Sequence, residues 1–163
     1  MRGLLLTVLV GAVGVAAVPQ TAGATDLRDL VRAPRAELEA RFAAGTPTAP
    51  PVGFAHGRPI KNPGTRRAPL NAALTRPVWQ GKIFREDGTM INRVFGAGRA
   101  IPADVYVAES RTDGAPAVVF DYSRSKLWPD VRDEVREIEP GLFLGIMYKN
   151  GQEKMFFALD ARR

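Results

Sequence analysis

Residues 131–160 read VRDEVREIEPGLFLGIMYKNGQEKMFFALD. Three runs, Val131–Ile138, Leu142–Lys149 and Glu153–Asp160, are separated by two turn signals. Pro140-Gly141 suits a tight turn, because Pro presets φ at the second turn position and Gly tolerates positive φ at the third. Asn150-Gly151 is a strong hairpin signal, since a type I′ turn needs positive φ at both central residues. The stretch predicts three consecutive antiparallel strands.

Working back from it, Val78–Phe84 and Thr89–Phe95 flank Asp87-Gly88, a second hairpin signal. Ala103–Glu109 and Pro116–Tyr122 flank a turn containing Asp113-Gly114, and residues 123–130 form a longer connection. Seven strands joined by hairpins without crossover helices predict a mainly β chain, an antiparallel up-and-down meander. Closure into a small barrel would remove its edges.

Before the strands, Asp26–Ala44 carries apolar residues at helical spacing, with Leu38 and Phe42 at i, i+4. Pro34 predicts a break with a second helix beginning near it, and Gly45 a stop. Residues 45–77 hold seven of the chain's 13 prolines and read as a long loop wrapped over the barrel. Phe54, Ile60 and Leu70 are expected to pin it to the core, and Pro69–Leu74 to form one helical turn. The expected organisation is therefore a leader at 1–24, a helix and Pro-rich covering segment at 25–77, and a barrel at 78–163.

The leader follows from Arg2, an apolar run from Leu4 to Val18, and Ala22-Gly23-Ala24. A positive start, a short apolar centre and an A-x-A site predict a secretory signal peptide cleaved after Ala24, hence export to a periplasm or the exterior. The alternative, a membrane anchor, is disfavoured because the run falls short of the roughly 20 residues that span a bilayer. No second run of that length follows, so no membrane span is expected in the mature chain. The absence of cysteine excludes disulfides, thiolate metal sites and a cysteine nucleophile. The net charge of +6 is scattered among 17 acids, with no basic tract interleaved by aromatics, which argues against a nucleic-acid partner. No phosphate-cradling glycine loop, nucleophile–base motif or metal-spaced cluster occurs, so neither cofactor nor metal is expected. His56, the only histidine, reads as a solvated loop residue.

Two-residue turns would set Asp133 opposite Tyr148, Val135 opposite Ile146, and Ile146 opposite Met155. The more apolar face then holds Leu142, Leu144, Ile146, Phe157 and Leu159 together with Asp133, Glu137 and Tyr148, and is assigned to the interior. Arg132, Glu134 and Arg136 fall on the other face as a solvated charge ladder. In the first hairpin Trp79, Ile83, Met90 and Val94 share one face, and Lys82 and Arg93 the other. Tyr122 is expected inward and Asp121 outward or at the rim. Trp79, Arg93, Asp121, Tyr122, Asp133, Arg136, Glu137 and Tyr148 make up the candidate ligand-binding set.

Val78-Trp79-Gln80-Gly81-Lys82-Ile83-Phe84, Asp121-Tyr122-Ser123 and the run Arg132–Glu137 to Pro140-Gly141-Leu142 resemble bacterial lipocalin-like proteins of unknown function, related to G-x-W-x-G domains. The leading glycine of that pattern is absent, Val78 standing directly before Trp79-Gln80-Gly81. The resemblance implies a small calycin-like barrel and carries no catalytic residues.

Three functions compete. The first is a non-enzymatic exported barrel binding a small hydrophobic or amphipathic molecule, with Asp133, Glu137, Tyr122 and Tyr148 orienting its polar end. The second is a cofactor-free isomerase or cyclase using a buried carboxylate as acid or base, with Arg93 or Tyr148 stabilising developing charge. The third is an envelope structural or interaction module whose contact surface is the Pro-rich loop.

Overall fold

The structure is a computed structural model that describes residues 24–162. The apolar run read as a signal peptide lies outside the described residues. Eight antiparallel strands form a closed barrel in which each pairs with its sequence neighbours and the last returns to the first. They are β1 (Gly53–Ile60), β2 (Trp79–Phe84), β3 (Thr89–Val94), β4 (Gly98–Glu109), β5 (Pro116–Asp121), β6 (Val131–Glu139), β7 (Leu142–Lys149) and β8 (Gln152–Asp160). Three helices, α1 (Leu27–Arg32), α2 (Arg35–Ala44) and α3 (Arg67–Thr75), pack outside on the wall made by β1, β6, β7 and β8.

The expected meander is present, with one strand more than the seven anticipated. The Pro-rich segment is not a covering loop throughout, because its residues 53–60 supply the strand that closes the barrel. The boundary expected at residue 78 therefore falls inside the barrel. Pro59 fits because β1 pairs with β2 only from Gly53 to His56, then continues along β8 to Ile60. Its missing N–H is turned to the side where pairing has ended. His56 is exposed as expected, but on a strand.

Upstream, Asp26 caps α1 with a capping box closed by Asp29, Pro34 stands as N-cap of α2, and Gly45 as its C-cap. The barrel wall under these helices is apolar on both faces. Outside, Leu30, Leu38, Phe42 and Ile60 pack with Leu142, Leu144, Ile146 and Phe156. Inside, Met90, Val118, Phe120, Val135, Phe143 and Leu159 form a second core. Leu70, expected to pin the Pro-rich segment, is instead 58% exposed.

Two bulges correct the strand registers. An extra residue at Ile138 places Val135 opposite Gly145 and Asp133 opposite Met147. A second, at Lys154, pairs Ile146 with Phe156 rather than Met155. One extra residue turns every following side chain to the other face. The interior side of β7 is thus Phe143, Gly145 and Met147, while Leu142, Leu144, Ile146 and Tyr148 face outward. The second bulge restores parity, so Phe157 and Leu159 of β8 point inward as expected.

Candidate functional site

A cavity of about 400 Å³ opens into the barrel interior. Its wall is mostly apolar, with Trp79, Met147, Met155 and Phe157 among the lining residues. At the rim stand Phe95, Leu127 and Trp128, which are 74%, 69% and 39% exposed. Both tryptophans of the chain, Trp79 and Trp128, line this space.

Buried beneath the apolar wall is a polar quartet: Lys82 on β2, Asn92 on β3, Tyr122 just after β5, and Asp133 on β6. Each is no more than 4% exposed. The Lys82 ammonium donates to Asp133 Oδ2 at 2.9 Å, to the Tyr122 hydroxyl at 2.5 Å and to Asn92 Oδ1 at 3.1 Å. Tyr122 in turn donates to Asp133 Oδ2 at 3.0 Å. Asn92 Oδ1 also accepts from the Trp79 indole N–H at 2.9 Å, and its amide donates to the Ile101 carbonyl at 2.9 Å. The ammonium lies 5.2–5.6 Å from the ring centres of Trp79, Phe120, Tyr122 and Phe157. Such contacts suit a desolvated cation.

Local backbone departures build this arrangement. Gln80 is the extra residue of a bulge between Trp79 and Gly81, which turns Trp79 onto the same face as Lys82. Gly81 takes φ of +143°, a conformation that costs glycine little. Across from it, a Cβ on Gly57 would lie 2.7 Å from Cζ3 of the Trp79 ring, so the missing side chain makes room for the indole. On β4, Ile101 is the extra residue opposite Ile91 and Asn92, with φ of +60°. Positive φ is strained for a β-branched residue, about 1–3 kcal/mol, and here the strained residue supplies the carbonyl that holds Asn92.

Burial shifts the quartet's proton affinities. Desolvation holds the Lys82 ammonium below its ordinary value of 10.5, and the Asp133 carboxylate opposes that shift. Desolvation, followed by the Asp133 charge, pushes the Tyr122 hydroxyl well above 10.0.

Of the eight residues singled out from sequence, Trp79, Tyr122 and Asp133 line the cavity. The other five lie elsewhere. Arg93 donates to the Gly96 carbonyl at 2.6 Å and stacks on Phe54, 4.7 Å from its ring centre. Asp121 accepts from Tyr106 at 2.9 Å and from the Ser123 amide at 2.8 Å. Glu137 accepts from the Gly141 amide at 2.7 Å and braces the turn. Tyr148, placed beside Asp133 by the expected register, faces outward and shares a hydrogen bond of 2.6 Å with Thr112.

Arg136 is a structural clamp. Its five N–H groups are all used: a bidentate pair with Asp113 at 2.7 Å, and bonds to the carbonyls of Phe42, Ala115 and Pro116 at 3.0–3.1 Å. The charge ladder expected to be solvated is thus largely buried. Glu134, fully buried, accepts from Ser110 at 2.7 Å, from the Arg111 amide at 3.0 Å and from Arg132 at 2.9 Å.

Sequence reasoning missed Lys82 and Asn92. A lysine inside an apolar strand was the available signal, but the bulge at Gln80 hid its face. A second hollow, of about 580 Å³, lies outside the barrel among Arg28, Arg58, Arg76 and Asp160. Among the described residues no group of three or more His, Asp or Glu side chains could hold a metal ion.

A crystal structure of a protein from Thermomonospora curvata is similar to this chain, with a TM-score of 0.55. The match covers 81% of this chain and 90% of that one at 19% identity, a likeness in fold alone. No family model and no curated protein matches the chain, so the link to G-x-W-x-G domains gains no support from these comparisons.

Proposed function

We propose that the protein is an exported lipocalin-like barrel that holds a small, largely apolar molecule in its cavity, with the polar end of the ligand at the buried quartet. The observation that carries this reading is a void of about 400 Å³, apolar along its wall, whose inner end gathers four polar side chains. Known small-molecule sites share that build: concave, roughly 300–1,000 Å³, mostly apolar, with a few placed polar groups. The exposed Phe95, Leu127 and Trp128 at the rim extend the apolar path to the surface. Export rests on the N-terminal leader pattern.

The test is titration of the chain from Thr25 onward with N-phenylnaphthylamine, a neutral apolar fluorophore. The expected result is saturable enhancement at one site, with energy transfer from the two tryptophans. Val94→Trp, which fills the cavity, should weaken binding about tenfold or more. Absence of saturable binding by a folded wild-type protein would overturn the proposal.

A second reading has one observation in its favour. A lysine kept below its usual proton affinity beside a carboxylate and a phenol can exchange a proton with a bound molecule. This supports a cofactor-free isomerase or cyclase working with Lys82 and Asp133. It requires turnover that disappears in Lys82→Met while N-phenylnaphthylamine binding persists. For the interaction-module reading, residues 53–60 of the contact segment are barrel wall, and the exposed stretches 46–49 and 64–66 remain as its contact surface.

A further inference from the structure

Resting on the binding proposal, we infer that the cavity selects neutral ligands that donate a hydrogen bond, such as alcohols, and that Asp133 Oδ1 is the atom that receives it. Every polar side-chain atom of the quartet but one has a partner within it or beside it. The Lys82 ammonium has three N–H groups, and Asn92, Tyr122 and Asp133 take all three. The Tyr122 hydroxyl donates to Asp133 and accepts from Lys82. The Asn92 amide donates to the Ile101 carbonyl and towards Tyr122, at 2.9 and 3.3 Å, and its oxygen accepts from Trp79 and Lys82.

Asp133 Oδ2 accepts twice, from Lys82 and Tyr122, whereas Oδ1 accepts no hydrogen bond from any described residue. Side-chain polar atoms that are wholly enclosed are all partnered among the described residues. The unpartnered Oδ1 is therefore reachable, and Asp133, 4% exposed, reaches open space as part of the cavity lining. A carboxylate oxygen accepts and cannot donate.

Charge points the same way. Lys82 and Asp133 form an ion pair at 2.9 Å, so the quartet presents no net charge to the cavity. An anionic ligand would meet the free carboxylate oxygen, with the lysine already spent. An ether offers only acceptors and would leave Oδ1 without a partner. An alcohol satisfies it.

The experiment follows emission from Trp79 and Trp128 during titration of the chain from Thr25 onward with decanol, decyl methyl ether and decanoate at pH 7. The expected result is that decanol binds about tenfold or more tightly than the ether, as a hydrogen bond to a charged acceptor predicts, with decanoate weakest. Asp133→Asn, checked for native circular dichroism, should shrink the alcohol-to-ether ratio towards one. The wild-type series decides the matter even if that variant does not fold. Equal binding of alcohol and ether would overturn the donor inference and leave the cavity proposal intact. Decanoate binding as tightly as decanol would also overturn it, placing the polar end with Lys61, an exposed residue of the cavity lining. If none of the three binds, and N-phenylnaphthylamine does not either, both readings fall.

Discussion

At the scale of single residues, Lys82 and Asp133 are each other's reason for being buried. An isolated ion in so apolar a site is costly, and removing one partner of a buried pair typically costs about 3–5 kcal/mol. Asp133→Ala is therefore expected to lower unfolding stability by that order in urea titrations. The double change Lys82→Met with Asp133→Leu should cost less than Asp133→Ala alone, since no unpaired charge remains. Tyr122 gives an independent check. Its folded proton affinity is raised well above the ordinary 10.0, so it keeps a proton that the unfolded chain loses. That contribution to stability is present below pH 10 and is lost as pH rises towards the folded value. In an alkaline titration of tyrosinate absorbance, Tyr122→Phe should match the wild type until the protein unfolds. A smaller absorbance change in the variant while both remain folded would show Tyr122 to be accessible to base.

Asp133 was legible at this scale because β6 begins cleanly and its alternation holds from Val131 to Val135. Lys82 was not, because a single bulge two residues earlier reverses the face of Trp79 relative to it. No composition rule marks Gln80 as a bulge, and the glycine that accompanies it has other uses in a strand.

At the scale of elements, the turns decide most of the strand boundaries, and the bulges decide the faces. Pro140-Gly141 and Asn150-Gly151 locate β6, β7 and β8 to within a residue of the expected limits. They did not fix register, since Ile138 and Lys154 each insert one residue beside a turn. The rule that the more apolar face points inward failed for β7, because helices cover its outer face and both sides are apolar. Gly145 lies on the inner side of that strand, and a Cβ there would collide with the Phe157 ring. Gly145→Val should therefore overpack the interior, cost about 1–3 kcal/mol, and displace Phe157 from the cavity wall. Paired urea and N-phenylnaphthylamine titrations test it: unaltered stability and affinity would show that Phe157 has somewhere else to go. β1 was missed because Gly57 and Pro59 spoil a strand pattern. Their positions make sense only once Trp79 and the end of β2 pairing are known.

At the scale of the whole molecule, the barrel is closed by β1 against β8 and clamped outside by Arg136. The Arg136 hydrogen bonds hold the Asp113 carboxyl below its ordinary 3.8, and those of Arg162 do the same for Asp160. A carboxylate with a lowered folded value contributes stability that is complete above the unfolded value and is lost as pH falls through the folded one. The thermal midpoint should hold from neutral pH to about 4 and drop below it. Asp113→Asn should start lower at neutral pH and lose less below pH 4. An identical acid limb in both proteins would remove the clamp from the account. Arg136→Ala should cost roughly 3–5 kcal/mol, because the buried Phe42 carbonyl loses a donor and the packing of a fully buried side chain over Phe42 is lost.

The fold was legible largely because hairpins are local, whereas closure depends on pairing between residues a hundred positions apart. The cavity lies between these cases. Its wall is the inner alternation of several strands, and its polar end exists only after two bulges, at Gln80 and Ile101, have set which side chains meet.

The most direct test of the central claim is a crystal structure of the protein equilibrated with decanol. The alkyl chain is expected among Trp79, Met155 and Phe157, with the hydroxyl oxygen at about 2.5–3.0 Å from Asp133 Oδ1. An interior closed by side chains, or a hydroxyl seated at the rim away from Asp133, would contradict it.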